Sequence, residues 1–286
     1  MNKGRTVKII SAALSAALIV VIVVYGVFTM KSRLPDKVPD GTVRAVFFDV
    51  GEADCYLIHG NGAAILTDAP LGETRGVRGY MDRMGIKRID YFIVTHYDLD
   101  HCGDAAKIIE KYDVRNVLMP EPTESDTENY GAIASRVPEE RRLTARTGQS
   151  YEICGIRIDV LSPNGMGRDS NDMCVACRFS LPGGSLLACS DISGSEEKII
   201  LSKYGDRIKS DVLKVAHHGS KYSSSEDFIK AVSPEYAVIS CGPNSYGHPD
   251  LDVMRTLEAA GAEVAVTQTE NVIIFDFFSD SVVRKK

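Results

Sequence analysis

The chain has 286 residues and a formal net charge of −6, with 33 Lys and Arg against 39 Asp and Glu and no tryptophan. Beyond residue 40 the balance is 27 basic to 37 acidic residues, which argues against an extended basic face for long nucleic acid. A small phosphodiester gripped mainly by metal ions remains compatible with that charge. The seven cysteines are scattered and odd in number, which fits no disulfide framework. Cys174 and Cys177 have CxxC spacing but no partner pair. They sit in a strand-like run whose alternation sends the two sulfurs to opposite faces, so buried free thiols are expected.

Residues 1–8 form a short basic terminus with Lys3, Arg5 and Lys8. Residues 9–30, Ile9 to Met30, carry no charge, and at ~1.5 Å rise per residue they span roughly 30 Å, the thickness of a bilayer core. A cleavable signal peptide has a shorter apolar region ending at a small-residue site, and none stands here. The expectation is a single-pass signal-anchor in the cell membrane, with the domain behind it outside the cytoplasm. Secretion after cleavage is the alternative. Residues 31–41, with two prolines and several charges, read as a linker, and residues 42–286 as one folded domain.

Within that domain, strand-like runs fall at 43–49, 55–58 and 63–67, and a helix at 74–84 ends at Gly85. His59 falls in a turn at Gly60-Asn61-Gly62 and reads as an exposed residue. A strand over 89–95 leads into a helix over 103–112, then a strand at 114–118. Residues 121–150 have no clear period and read as a surface excursion. Strands follow at 156–161, 174–181 and 186–190, a helix at 195–203 and a strand at 211–216. The remainder alternates: helix 225–232, strand 236–240, helix 250–260, strands 263–267 and 271–277. Two strand-rich halves with helices suit two sheets packed face to face, helices outside.

The densest chemistry lies between strand and helix at residues 93–103. His96, Asp98, Asp100 and His101 fall within six positions, on a loop where side chains can converge. Two imidazoles and two carboxylates suit Zn, Mn or Fe. The spacing lets His96 and Asp98 face one ion, and Asp100 and His101 a second. The alternative is a solvated polar loop with chance histidines. Further on, the apolar strand before His217 places Leu213, Val215 and His217 on one face and Lys214 with His218 on the other. His217 is therefore expected as the distal ligand, with His218 supporting it or meeting substrate. Gly219 and Ser220 form a turn suited to an anion. His248, in Tyr246-Gly247-His248-Pro249, suits a general acid or a phosphate contact; a turn histidine bonding local backbone is the alternative.

These stretches carry a family resemblance. His96-Tyr97-Asp98-Leu99-Asp100-His101 resembles the HxHxDH signature of the metallo-β-lactamase fold, with Asp in the second ligand place. That departure is shared by the nuclease-like domain of ComEC-type DNA-uptake competence proteins. Asp49-Val50-Gly51-Glu52-Ala53-Asp54 resembles their DVGQGD, His217-His218-Gly219-Ser220 their HHGS, and Tyr246 to Pro249 their YGHP. The resemblance implies a four-layered αββα sandwich and a site for two divalent ions, Zn or Mn, with Asp100 and His248 in catalysis. It implies a bridging carboxylate at Asp191, whose alternative is a helix N-cap. Asn171 matches an Asn that stands where other members have His, a weak ligand that makes Mn plausible. Asp68 matches the aspartate of LIDTG, and Asp49 and Asp54 flank the first turn. All three are expected to orient ligands rather than bind metal.

The function these features imply is a membrane-anchored phosphodiesterase or nuclease in which metal-bound hydroxide attacks phosphorus. The alternatives are a hydrolase of a phosphocholine ester or lactone, and a non-catalytic module in DNA uptake or envelope assembly. The expected partners are a phosphodiester or nucleic-acid substrate and the membrane; no protein partner can be inferred.

Overall fold

A computed structural model describes residues 37–164 and 171–285. The Ile9–Met30 segment lies outside them. Among the described residues no helix is long and apolar enough to cross a membrane.

The described residues from Val38 on form one compact unit built on two large sheets, with a small third sheet of Arg88–Ile89 and Asp113–Val114. The first has eight strands, in spatial order Val282–Lys285, Val272–Phe277, Val43–Phe48, Tyr56–Gly60, Ala63–Thr67, Tyr91–Ile93, Val117–Met119 and Arg142–Thr144. The second has seven: Glu263–Val266, Tyr236–Ile239, Val212–Lys214, Gly184–Ala188, Cys177–Leu181, Ile156–Val160 and Ser150–Ile153. The period-2 alternation of each strand divides its apolar residues between two layers. Val43, Ala45 and Phe47 face inward with Ile158, Phe179, Leu186 and Val212, and form the core between the sheets. Val46 and Phe48 face outward and pack with Val77, Tyr80 and Met81 of helix Arg75–Met84. On the far side, Leu187 and Leu213 pack against Ile200, Phe228 and Leu257 from three helices. The result is the αββα sandwich.

The excursion expected over 121–150 is ordered. Thr123 and Asp126 form a capping box, with the Thr123 amide donating to Asp126 Oδ2 at 2.9 Å. The helix Thr127–Ala134 follows and buries Ile133 and Ala134 in the outer core, and Arg142–Thr144 adds an edge strand. A two-turn helix that buries only two neighbouring residues at its end leaves little periodicity to read. His59 also departs from expectation. It is 5% exposed, lies on strand Tyr56–Gly60 under helix Arg75–Met84, and meets the Tyr80 hydroxyl at 2.9 Å. None of the seven cysteines is in a disulfide; Cys174 and Cys177 face different cores, and of the seven Cys154 is the exposed one. Burial pushes the Cys102 thiol up to about 12, so it holds its proton despite lying beside the metal loop.

In each sheet a group of neighbouring strands runs parallel: Ala63–Thr67, Tyr91–Ile93 and Val117–Met119 in one, and Gly184–Ala188, Val212–Lys214 and Tyr236–Ile239 in the other. Their carboxyl ends leave the sheets for the loops that hold the site, the usual place for a ligand in α/β folds.

Candidate metal centre

Each histidine of the cluster is held by one ring nitrogen and left bare at the other. His101 Nδ1 lies 2.9 Å from Asp68 Oδ2. Asp68 also accepts from the Thr95 amide and hydroxyl, both at 2.8 Å. Thr95 Oγ1 reaches His96 Nδ1 at 3.2 Å, and His218 Nδ1 meets the Ser240 carbonyl at 2.9 Å. Carboxylate and carbonyl can only accept, so these contacts make Nδ1 the donor in His101 and His218 and turn each Nε2 lone pair into the cavity. His96 Nε2, His101 Nε2, His218 Nε2 and Asp191 Oδ1 are all buried with no hydrogen-bond partner among the described residues.

These bare atoms converge. Donor atoms of His96, His101 and Asp191 lie within 4.8 Å of one another, and so do those of Asp100, His101 and His218. Asp191 stands between the groups, Oδ1 3.5 Å from His101 Nε2 and Oδ2 3.5 Å from His218 Nε2. Asp98 reaches toward His96 at 3.7 Å, and Asp100 toward His101 at 3.9 Å and His218 at 4.0 Å. Buried nitrogens and carboxylates with unspent lone pairs at this spacing fit divalent cations, with one group on each side of Asp191.

The electrostatics agree with that reading. Burial opposes charge on His101, but Asp191 and Asp68 outweigh it and hold its pKa well above the usual imidazole value. Burial, then the neighbouring His101, lowers that of His96 well below it. Burial alone would raise Asp191, yet His218 and His101 hold it well below the usual carboxylate range. Protons here are shared among groups that a cation would also satisfy.

His218, not His217, completes the second group. The strand was expected to run on through Ala216, but it ends at Lys214. Residues 216–219 then turn sharply, with left-handed backbone at His217 (φ 48°) and His218 (φ 54°). The alternation that would aim His217 inward stops before it. His218 is 3% exposed and His217 28%, with Nε2 3.7 Å from Asp191 Oδ2 at the rim. Ser220, expected to meet substrate, is buried; its amide donates to the His217 carbonyl at 2.8 Å, which closes the turn.

Of the other expected residues, Asp68 orients His101, as described. Among the described residues, Asp49 accepts from the Gly51 amide of its own loop, at 3.2 Å, and reaches no metal-site histidine. Asp54 forms a buried ion pair with Lys214, and its Oδ1 lies 3.7 Å from His218 Nδ1. Lys214 has the signal of a single cation inside an apolar run, but nothing local points to Asp54. Asn171 opens the turn Asn171–Met173 with Oδ1 buried and without a hydrogen-bond partner among the described residues, and the adjoining Val175 amide bonds the Thr95 carbonyl at 2.8 Å.

His248 stands at the rim, its ring centroid 5.8 Å from that of His217 and 6.3 Å from that of His218. Its Nδ1 meets Glu52 Oε1 at 2.8 Å, and Tyr246, 77% exposed, stacks on the ring at 5.6 Å. Glu52 was not expected at the site. It replaces the Gln of the resembled motif, and its partner is remote in sequence.

Among curated proteins, the chain is 29% identical to ComE operon protein 3 of Bacillus subtilis over 201 residues, 69% of this chain and 26% of that protein. It is 28% identical to Competence protein ComA of Neisseria gonorrhoeae over 248 residues, 85% of this chain and 34% of that one. The chain thus spans about a quarter to a third of the length of these relatives. Among solved structures, the metallo-β-lactamase fold protein YhfI from Bacillus subtilis superposes with a TM-score of 0.55 at 12% identity, covering 82% of this chain and 99% of that one, a likeness of fold alone. The model of the metallo-β-lactamase superfamily matches residues 48–242, and the chain belongs to that superfamily, most of whose members are metal-dependent hydrolases.

Proposed function

We propose that this protein is a metal-dependent phosphodiesterase, with a nucleic acid or a related phosphodiester as substrate. The carrying observation is the set of bare, buried donor atoms on His96, His101, His218 and Asp191, aimed at one place beside a carboxylate-held His248. The competence-type relatives favour a nucleic-acid-related substrate. The acidic surface favours a short or single phosphodiester over long duplex.

His96, Asp98 and Asp191 would hold one ion, and Asp100, His101, His218 and Asp191 the other. Bound divalent ions supply positive charge for the phosphoryl oxygens and lower the pKa of water. Asp68, Thr95 and the Ser240 carbonyl keep the histidine rings in one orientation, so the site is preorganised. Asp98 and Asp100 are half exposed and face the opening, where a substrate arrives. His248 Nε2 is placed to hand a proton to the leaving oxygen. The Ile9–Met30 segment, in the same reading, anchors the protein with its hydrolase domain outside the cytoplasm.

The test is a panel assay on the purified chain, with Mn and with Zn, against bis-p-nitrophenyl phosphate, single-stranded DNA, plasmid and a lactone. Phosphodiester cleavage abolished by Asp191→Ala in a folded protein is the expected result. Lactone hydrolysis alone, or cleavage indifferent to Asp191→Ala, would overturn the assignment. For the anchor, protease added to intact cells should degrade the domain; full protection would count against that placement.

A further inference from the structure

Glu52 takes three hydrogen bonds from groups across the interface between the sheets. His248 Nδ1 lies 2.8 Å from Oε1, and the Gly242 amide and Asn244 Nδ2 each lie 3.1 Å from Oε2. All three are donors when the ring carries its proton on Nδ1, and only a carboxylate can accept from all of them. The Gln of the resembled motif offers one accepting oxygen. Asn244 locks the rest of the turn: its Oδ1 accepts the amides of Tyr246, Gly247 and His248 at 2.9–3.0 Å, and its Nδ2 reaches the His248 carbonyl at 2.8 Å. Tyr246 covers one face of the ring. The close approach is built into the backbone: a Cβ on Gly242 would lie 2.5 Å from Gly51 Cα.

We infer that Glu52 is the positioning residue for His248, fixing its ring with Nδ1–H on the carboxylate and Nε2 as the nitrogen that serves the leaving oxygen. The inference rests on the phosphodiesterase reading. In the step it serves, water forms the new P–O bond and the P–O bond to the leaving group breaks. The ring acts as an imidazolium, with Nδ1–H on Glu52 and a second proton on Nε2. The Nε2 proton goes to the leaving oxygen, which leaves the neutral Nδ1–H tautomer, and the proton lost by the attacking water returns through solvent to Nε2. A leaving alkoxide needs that proton; a p-nitrophenolate leaves without it.

Two measurements on the full chain test this. The first compares dithymidine monophosphate with the p-nitrophenyl ester of thymidine monophosphate. His248→Ala should slow the dinucleotide about 100-fold, within the usual range for a general acid. Glu52→Ala should slow it about 10-fold, Glu52→Gln less, and the aryl ester should change little. Glu52→Ala in a His248→Ala background should add nothing. Equal loss on both substrates, or additive losses, would overturn the role. Cleavage of neither substrate by the unaltered protein would instead sink the phosphodiesterase reading. The second measurement is the 15N signature of the His248 ring in metal-free protein. An Nδ1-protonated ring is expected, released in Glu52→Ala and partly kept in Glu52→Gln. An identical signature in all three proteins would overturn the inference even if the activity is of another kind.

Discussion

Lys214→Met would remove an ammonium group buried directly beneath the candidate metal centre. The side chains of Lys214 and Asp54 are 0% and 1% exposed, and Lys214 Nζ bonds Asp54 Oδ2. Burial disfavours the charge on Lys214, but Asp54 and Asp191 outweigh it and raise its pKa, so the ammonium keeps its proton. Asp54 Oδ1 has no hydrogen-bond partner among the described residues, and the nearest ring nitrogen, His218 Nδ1 at 3.7 Å, already serves the Ser240 carbonyl. Removing the ammonium therefore strands a whole carboxylate. Breaking a buried pair from one side costs about 3–5 kcal/mol. Lys214→Met with Asp54→Asn removes both charges at nearly constant volume and should recover about 2 kcal/mol or more of that loss. The assay is urea unfolding with excess chelator, so that bound ions cannot compensate. A single-variant cost below about 1 kcal/mol, or a double variant no more stable than the single, would refute the reasoning.

His59 carries a separate prediction. Burial first, then Arg44, lowers its pKa to about 4 from an ordinary 6.5, so the folded state binds fewer protons than the unfolded one as pH falls. Stability from this group is full above about 6.5 and drains away down to about 4, by on the order of 3 kcal/mol at most. His59→Gln should flatten the pH dependence of urea midpoints in that window; an unchanged slope would exclude His59 as its source. At the metal centre, His218→Ala should lose about one equivalent of bound Mn or Zn on dialysis and His217→Ala should not. The reverse pattern would return the ligand role to His217.

What could be read in the sequence was what is local. His96, Asp98, Asp100 and His101 fall together because one strand-to-helix loop holds them, and Asp191 stands three residues past the strand Gly184–Ala188, at a place the resemblance marks. The expected directions of His217 and His218 fail because the β period stops at Lys214 and the backbone turns left-handed at residues no glycine flags. The partnerships of Lys214 with Asp54 and of His248 with Glu52 join positions 160 and 196 residues apart, and no pattern in one sequence encodes them. His59 reads as exposed because Gly60-Asn61-Gly62 is a turn, whereas the helix that covers it, Arg75–Met84, comes 16 to 25 residues later. Thr123-x-x-Asp126 is a readable helix start, but the helix behind it buries only Ile133 and Ala134 at its end and so shows no period.

The loops of the first sheet supply His96, Asp98, Asp100 and His101, and those of the second supply Asp191, His217, His218 and His248. An ion held between them is a rivet through the sandwich. Occupancy would then be measurable as resistance to unfolding: a free-ion level a thousandfold above the dissociation constant adds roughly 4 kcal/mol. By the same linkage, any fluctuation that parts the two layers releases the ion, so starvation for metal would shorten the protein's life as well as silence it. A cell could read its metal supply in how much of this protein survives.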